Sequence, residues 1–250
     1  MTSALRELHV PGRPLVLPNI WDVPSALAVA GAGHPALATS SAAVAAVLGY
    51  EDGHQAPAAE MFAAAARIAA RVDVPLTVDC EGGYGLAPAE FVEALLDTGA
   101  AGANLEDTDH SSGGLIEAAR QADHLAAIRA AAGEGLVINA RVDVFIQAAP
   151  GTDPGSLLEE AVERARLYLE AGADCVYPIL LHDPTLATAF CAAVAPAAVN
   201  LLGSYMPAAG RISLADAAAA GAARVSFGPD LWRAANRALE ALVPPFVPSF

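Results

Sequence analysis

Eight short apolar runs alternate with eight helical stretches along this chain, and that alternation restricts the fold more than any other feature. The runs cover residues 15–19, 36–41, 76–81, 102–107, 136–144, 174–179, 199–203 and 225–228. Helical periodicity and capping signals fall between them, over about 23–32, 58–71, 88–98, 117–132, 154–171, 184–194, 213–220 and 229–243. Asp22 and Ser213 stand as N-caps, and Gly33 and Gly172 as stops. Strands that read as continuous apolar runs are buried on both faces, which is the mark of a parallel sheet covered by helices. The chain has 250 residues, about the size of one (β/α)₈ barrel. No linker or low-complexity break interrupts it. The predicted fold is therefore α/β, a single (β/α)₈ TIM barrel domain over residues 1–250.

In such barrels chemistry gathers at the C-terminal ends of the strands. The polar residues of this chain collect at those positions. Strand two ends in Thr39, Ser40 and Ser41, and strand three in Asp79 and Glu81, followed by a glycine-rich turn to Gly85. Strand four ends in Glu106 and Asp107. Strand five carries Arg141, and strand seven opens with Asn200. Asp52 sits in the long loop after strand two. Strand alternation puts Asp79 and Glu81 on one face, where they repel unless one is protonated or a cation lies between them. Hard oxygen ligands of this kind suit Mg²⁺ or Mn²⁺. Arg141 suits a substrate carboxylate through a bidentate contact, and backbone N–H groups around Ser40 and Ser41 suit an oxyanion. Each residue also has an ordinary reading. Arg141 can pair with Asp143 or Glu106, and Asn200 can satisfy groups inside the barrel. His54 and His110 lie in loops over the rim, where either can serve as an acid or base near neutral pH. His9, His34 and His182 fall at element edges, and His124 is expected to face solvent from a helix.

Composition closes other routes. The net charge is −15 and all 13 basic residues are arginine. Without a basic patch, neither nucleic acid nor an anionic membrane is an expected partner. Without lysine, Schiff-base aldolase chemistry and pyridoxal phosphate attachment are excluded. Cys80, Cys175 and Cys191 lie in apolar runs and read as free buried thiols of a cytoplasmic protein. No signal peptide is apparent, and no uninterrupted apolar run reaches the roughly 18 residues of a membrane span. The segment 244–250, rich in Pro and Phe, is expected to be non-helical and to pack on a partner subunit.

Six stretches together resemble the isocitrate lyase/phosphoenolpyruvate mutase superfamily. They are Leu17-Pro18-Asn19-Ile20-Trp21-Asp22, Ala38-Thr39-Ser40-Ser41, Leu48-Gly49-Tyr50-Glu51-Asp52-Gly53, Val78-Asp79-Cys80-Glu81-Gly82-Gly83-Tyr84-Gly85, Asn104-Leu105-Glu106-Asp107 and Asn139-Ala140-Arg141-Val142-Asp143. The resemblance covers about residues 14–230. It implies a Mg²⁺-dependent barrel acting on 2-oxo or 2-hydroxy carboxylates through a pyruvate enolate. It also implies a homo-oligomer, dimer or tetramer, in which the last helix can be swapped between subunits. By this resemblance Asp79 is a metal ligand, and Glu81, Glu106 and Asp52 support the metal mostly through water. Arg141 binds a substrate carboxylate, Ser40 and Ser41 give backbone donors, and Asn200 is a further substrate contact.

One loop departs from the pattern. Carbon–carbon lyases of the superfamily carry Lys-Lys-Cys-Gly-His or a close variant after strand four. Here Asp109-His110-Ser111-Ser112-Gly113-Gly114 stands instead, with neither Cys nor Lys. That argues against isocitrate or methylisocitrate cleavage by the standard route.

The candidate set is then Asp52, Arg141 and His110 for catalysis, with Asp79, Glu81 and Glu106 for metal. Thr39, Ser40, Ser41, Arg141 and Asn200 are the candidates for substrate binding. The expected activity is carbon–carbon cleavage or decarboxylation of a small carboxylate. The alternatives are a 2-oxo acid and metal-binding protein with little turnover, or a C–C or P–C hydrolase.

Overall fold

The computed structural model describes residues 1–204 and 210–244. Helix α1 (Thr2–Glu7) precedes the first strand segment. Pro18 has no N–H to give a ladder, and it splits that segment into β1 (Leu15–Leu17) and β2 (Asn19–Ile20). The chain continues through α2 (Val23–Gly31), β3 (Leu37–Thr39), α3 (Ser41–Leu48), α4 (Ala58–Ala69), β4 (Leu76–Asp79), α5 (Pro88–Asp97) and β5 (Gly102–Glu106). A short hairpin, β6 (Thr108–Asp109) and β7 (Gly114–Leu115), leads to α6 (Ala118–Ala132) and β8 (Val137–Val142). Then follow α7 (Leu158–Glu170), β9 (Cys175–Pro178), α8 (Pro184–Val194), β10 (Ala198–Leu202), α9 (Leu214–Ala220), β11 (Arg224–Ser226) and α10 (Asp230–Leu242).

The parallel ladder runs β1-β11-β10-β9-β8-β5-β4-β3-β2. Its two ends, β1 and β2, are consecutive pieces of one stretch, with Leu15 opposite Arg224 and Asn19 opposite Ala38. The sheet therefore closes into the expected (β/α)₈ barrel. Helix α1 seals the bottom. Leu5 is fully buried among Leu15, Leu17, Ala38, Ala101 and Val137. Gly102 allows that seal, because a Cβ there would lie 2.9 Å from Leu5 Cδ2 and 3.0 Å from the Val137 carbonyl oxygen. Between barrel and helices, Phe91, Leu95, Tyr168 and Phe190 are fully buried. Truncating one of these aromatic rings to alanine costs about 3–5 kcal/mol. Cys80, Cys175 and Cys191 are free and buried. Among the described residues, no helix is long and apolar enough to cross a membrane.

Four local expectations change. The second strand stops at Thr39, and the alanine-rich 41–48 stretch forms α3, closed by Gly49 at φ +91. The third strand stops at Asp79, and Glu81 has φ +50 in the following turn. Strand alternation therefore does not reach Glu81, and the two acids approach the rim from different backbone geometries. The 108–114 stretch, expected as a loop, forms a hairpin pinned by Gly113 N–H to Asp109 O at 2.7 Å. The apolar side of the last helix, expected from Leu231, Ala234, Ala235, Ala238 and Leu242, is not buried by the described residues. No residue of α10 is buried, and Leu242 is 80% exposed. The expectation for 244–250 lies outside the described residues, apart from Pro244.

Candidate active site

The C-terminal rim brings most of the candidate residues together. Asp79 ends β4 and is gripped from β3 and α3. Its backbone N–H donates to Thr39 Oγ1 at 2.8 Å, and its Oδ2 accepts the Ser41 N–H at 3.0 Å. Its Oδ1 is buried without a hydrogen-bond partner. Ser40 N–H donates to Ile20 O at 3.2 Å. Both backbone donors expected for a substrate oxyanion are thus engaged within the protein, one of them on Asp79 itself.

Two adjoining cavities occupy the mouth. One, of about 240 Å³, is lined by Ser40, Ser41, Asp52, Asp79, Asn104 and Arg141. The other, of about 170 Å³, is lined by Asp52, Glu81, Glu106, His110, Arg141 and Asp143. Asp52, Ser41 and Arg141 belong to both walls. Thr39 and Asn200 are not on either wall. Thr39 is buried behind Asp79, and Asn200 is fully buried, donating from Nδ2 to Ser226 Oγ at 3.0 Å.

Arg141 makes both ion pairs named as its ordinary reading. Nε and Nη2 donate to Asp143 at 2.6 and 2.8 Å, and Nη2 also pairs with Glu106. Glu106 and Asp143 hold the guanidinium protonated although burial alone would favour its neutral form. No protein group among the described residues takes Nη1, so that edge of the fork is left for a ligand. Glu106 is held in turn by His110 Nε2 at 2.6 Å, and Gln121 Nε2 donates to the Glu106 carbonyl at 3.0 Å. Asp143 accepts Thr108 Oγ1 at 2.5 Å, and its N–H donates to Asp107 Oδ1 at 2.8 Å.

The mouth is short of positive charge. Burial, then the Asp79 charge, raises Asp52 above the ordinary carboxylate range. Burial, with Asp79, Asp52 and Glu106 nearby, pushes Glu81 up to about 7 against the opposing bond from His54 N–H. Burial also raises Glu106, against the pull of Arg141 and His110. Asp79 Oδ1 and Glu81 Oε1 are buried acceptors without donors. Carboxylate oxygens left in this condition fit a hard divalent cation such as Mg²⁺ or Mn²⁺, which lowers the cost of their ionised forms.

The histidines divide. The bond to Glu106 raises His110 above its ordinary value, against burial. Burial and His110 lower His54 to about 4. His124 does not face solvent as expected. It is half-buried, its Nε2 has no partner, and it lines a side cleft of about 300 Å³ with His54, His110 and Arg120. Tyr177, Arg211 and Arg233 on the mouth were not singled out from the sequence. Arg211 pairs with Asp230 at 2.8 Å. Arg141, Arg211 and Arg233, three of only 13 basic residues, at one opening are a signal, but it becomes visible only when barrel closure brings β8, the loop after β10 and α10 around one mouth.

A family model described as phosphoenolpyruvate phosphomutase matches residues 5–244. An uncharacterized protein of Mycobacterium tuberculosis is 36% identical over 227 residues, covering 90% of this chain and 81% of that protein. The 2-methylisocitrate lyase of Bacillus subtilis is 31% identical over 191 residues, covering 73% of this chain and 60% of that enzyme. Among solved structures, a Burkholderia cenocepacia protein provisionally assigned as a phosphonomutase superimposes with TM-score 0.88 at 41% identity, covering 96% of this chain and 98% of that one. Oxaloacetate acetylhydrolase superimposes with TM-score 0.83 at 26% identity, covering 96% of this chain and 84% of that one.

Proposed function

The chain belongs to the phosphoenolpyruvate phosphomutase family, and from that premise we propose that it is a Mg²⁺- or Mn²⁺-dependent lyase-type enzyme. Its substrate is a small 2-oxo or 2-hydroxy carboxylic acid, broken at a C–C bond or decarboxylated through an enolate. The observation that carries this reading is the pair of orphaned buried acceptors, Asp79 Oδ1 and Glu81 Oε1, on two residues that line the mouth cavities together with Arg141. Asp79 would hold the cation directly, with Glu81, Glu106 and Asp52 supporting it mostly through water. When bound, the cation would offset negative charge that builds on the 2-oxo oxygen.

The chain's own residues supply the rest. Arg141 orients the substrate carboxylate, and its position is fixed by Asp143 and Glu106. Ser41 N–H holds Asp79 Oδ2 and Thr39 Oγ1 holds the Asp79 N–H, so Asp79 Oδ1 is the oxygen that would be left for a cation. His110, with its proton shared with Glu106, gives or takes a proton at the 2-hydroxyl or the enolate carbon. Arg211 and Arg233, which line the same cavity as Arg141, favour a substrate with a second acidic group. The face of α10 that the described residues leave open supports a homo-oligomer, dimer or tetramer, in which a second copy lies on that helix.

The test is incubation of 2-oxo and 2-hydroxy diacids with the protein and Mg²⁺, with products followed by NMR. C–C cleavage or CO₂ release that depends on Asp79 supports the proposal. Saturable binding of these acids without any product refutes it, and hydrolytic products would move the reaction class.

A further inference from the structure

We infer that His54, Glu81 and His110 form a second cation site, selective for a borderline transition-metal ion such as Zn²⁺ or Co²⁺. One ligand atom from each of the three lies within 4.8 Å of the others. Two imidazoles and one carboxylate make a donor set that suits zinc and its neighbours rather than Mg²⁺, and it leaves coordination positions open. Glu81 is 2% exposed, and its Oε1 has no partner. Its Oε2 accepts the His54 N–H, which fixes the carboxylate in place.

The hydrogen bonds set both rings in the form a metal needs. Gly82 N–H donates to His54 Nε2 at 2.9 Å, so the lone pair of that ring is on Nε2, which stands 4.0 Å from Glu81 Oε2. Gly82 is only partly buried, so water can take over its N–H when an ion takes the lone pair. His110 gives Nε2 to Glu106 at 2.6 Å, which leaves the lone pair on Nδ1. A carboxylate behind a ligating imidazole is the usual support in metal sites. The two rings lie 4.1 Å apart between centroids. Gly82 makes room for one of them, because a Cβ there would lie 3.3 Å from His54 Nε2. His54 and His110 also line the side cleft of about 300 Å³, which gives an ion a route that does not pass through the barrel mouth.

The inference does not rest on the lyase reading. A metal on His110 would withdraw its lone pair from proton transfer, so the two roles are separable by experiment. Tag-free protein is stripped of metal, held in millimolar Mg²⁺ and titrated with Co²⁺. Bound cobalt is counted by elemental analysis after dialysis and observed by its visible absorption. One Co²⁺ per chain should persist against Mg²⁺. Its proton NMR spectrum should show shifted signals from two coordinated imidazoles, a readout that needs no variant. His54→Ala and His110→Ala should each weaken cobalt binding by more than about 100-fold, beyond the loss typical of second-layer partners. Asp79→Asn should leave cobalt bound while removing the Mg²⁺ response. No cobalt retained over Mg²⁺, retention in both folded histidine variants, or equal loss in Asp79→Asn would overturn the site.

Discussion

Replacing Glu81 by glutamine in the metal-free protein should make it more stable at pH 8. Glu81 is 2% exposed, and burial with the surrounding acids moves its carboxyl from 4.5 to about 7. The unfolded chain carries this group at its ordinary value, so between those limits the folded state binds more protons. Stability therefore falls as pH rises from 4.5 to about 7 and stays reduced above. At about 1.4 kcal/mol per pH unit, the ionised carboxylate costs the metal-free fold about 3 kcal/mol at pH 8. Glutamine has nearly the same shape, keeps an oxygen to accept the His54 N–H, and carries no charge. For a domain of this size, about 3 kcal/mol corresponds to about 6–12 °C in Tm. Scanning calorimetry of wild type and Glu81→Gln, in chelator, should show that gain at pH 8 and little of it at pH 4.5. Adding Mg²⁺ should reverse the order, because only the wild type recovers its charge balance by binding. A metal-free variant less stable than wild type at pH 8, or a gain independent of pH, would refute the reasoning.

Arg141→Met strands Glu106 and Asp143 as buried charges and should cost about 3–5 kcal/mol in urea unfolding, with activity lost as well. His110→Asn should lower kcat/KM about 10²–10⁴-fold and remove one limb of the pH–rate profile, while diacid binding persists in equilibrium dialysis. Arg233→Ala should raise KM for diacids while leaving monoacids nearly unchanged, which parallel steady-state assays on the two substrate sets can show. Thr39→Val removes the acceptor for the Asp79 N–H and should weaken Mg²⁺ binding in calorimetric titration about 10–100-fold, as expected for a supporting partner.

The barrel was legible because its strands are buried on both faces and therefore read as plain apolar runs, with helix stops such as Gly33 and Gly172 between them. What escaped depends on exceptions to periodicity. Nothing in 41–48 marks a helix over a strand extension except its alanine content, so α3 was missed. Alternation holds only while residues remain in the strand, and Glu81 leaves it at φ +50. The clustering of Asp79, Glu106 and Arg141 at the rim follows from their places on the strands, and Asp52 reaches them from the loop between α3 and α4. The pairing of Arg141 with Asp143 and Glu106 follows from an i, i+2 spacing and from the register that sets Glu106 opposite Arg141, whereas the burial of His124 and the meeting of His54 with His110 depend on loop paths that no short-range pattern encodes. Helix α10 was read correctly as amphipathic, but amphipathicity says that a face prefers cover, not what supplies it.

Metal-dependent lyase activity is tested by following 2-oxo and 2-hydroxy diacids by ¹³C NMR with wild type, wild type in chelator, and Asp79→Asn. The account predicts a C–C cleavage or decarboxylation product with wild type and Mg²⁺ alone. Product formed equally in chelator, or by Asp79→Asn, would contradict it.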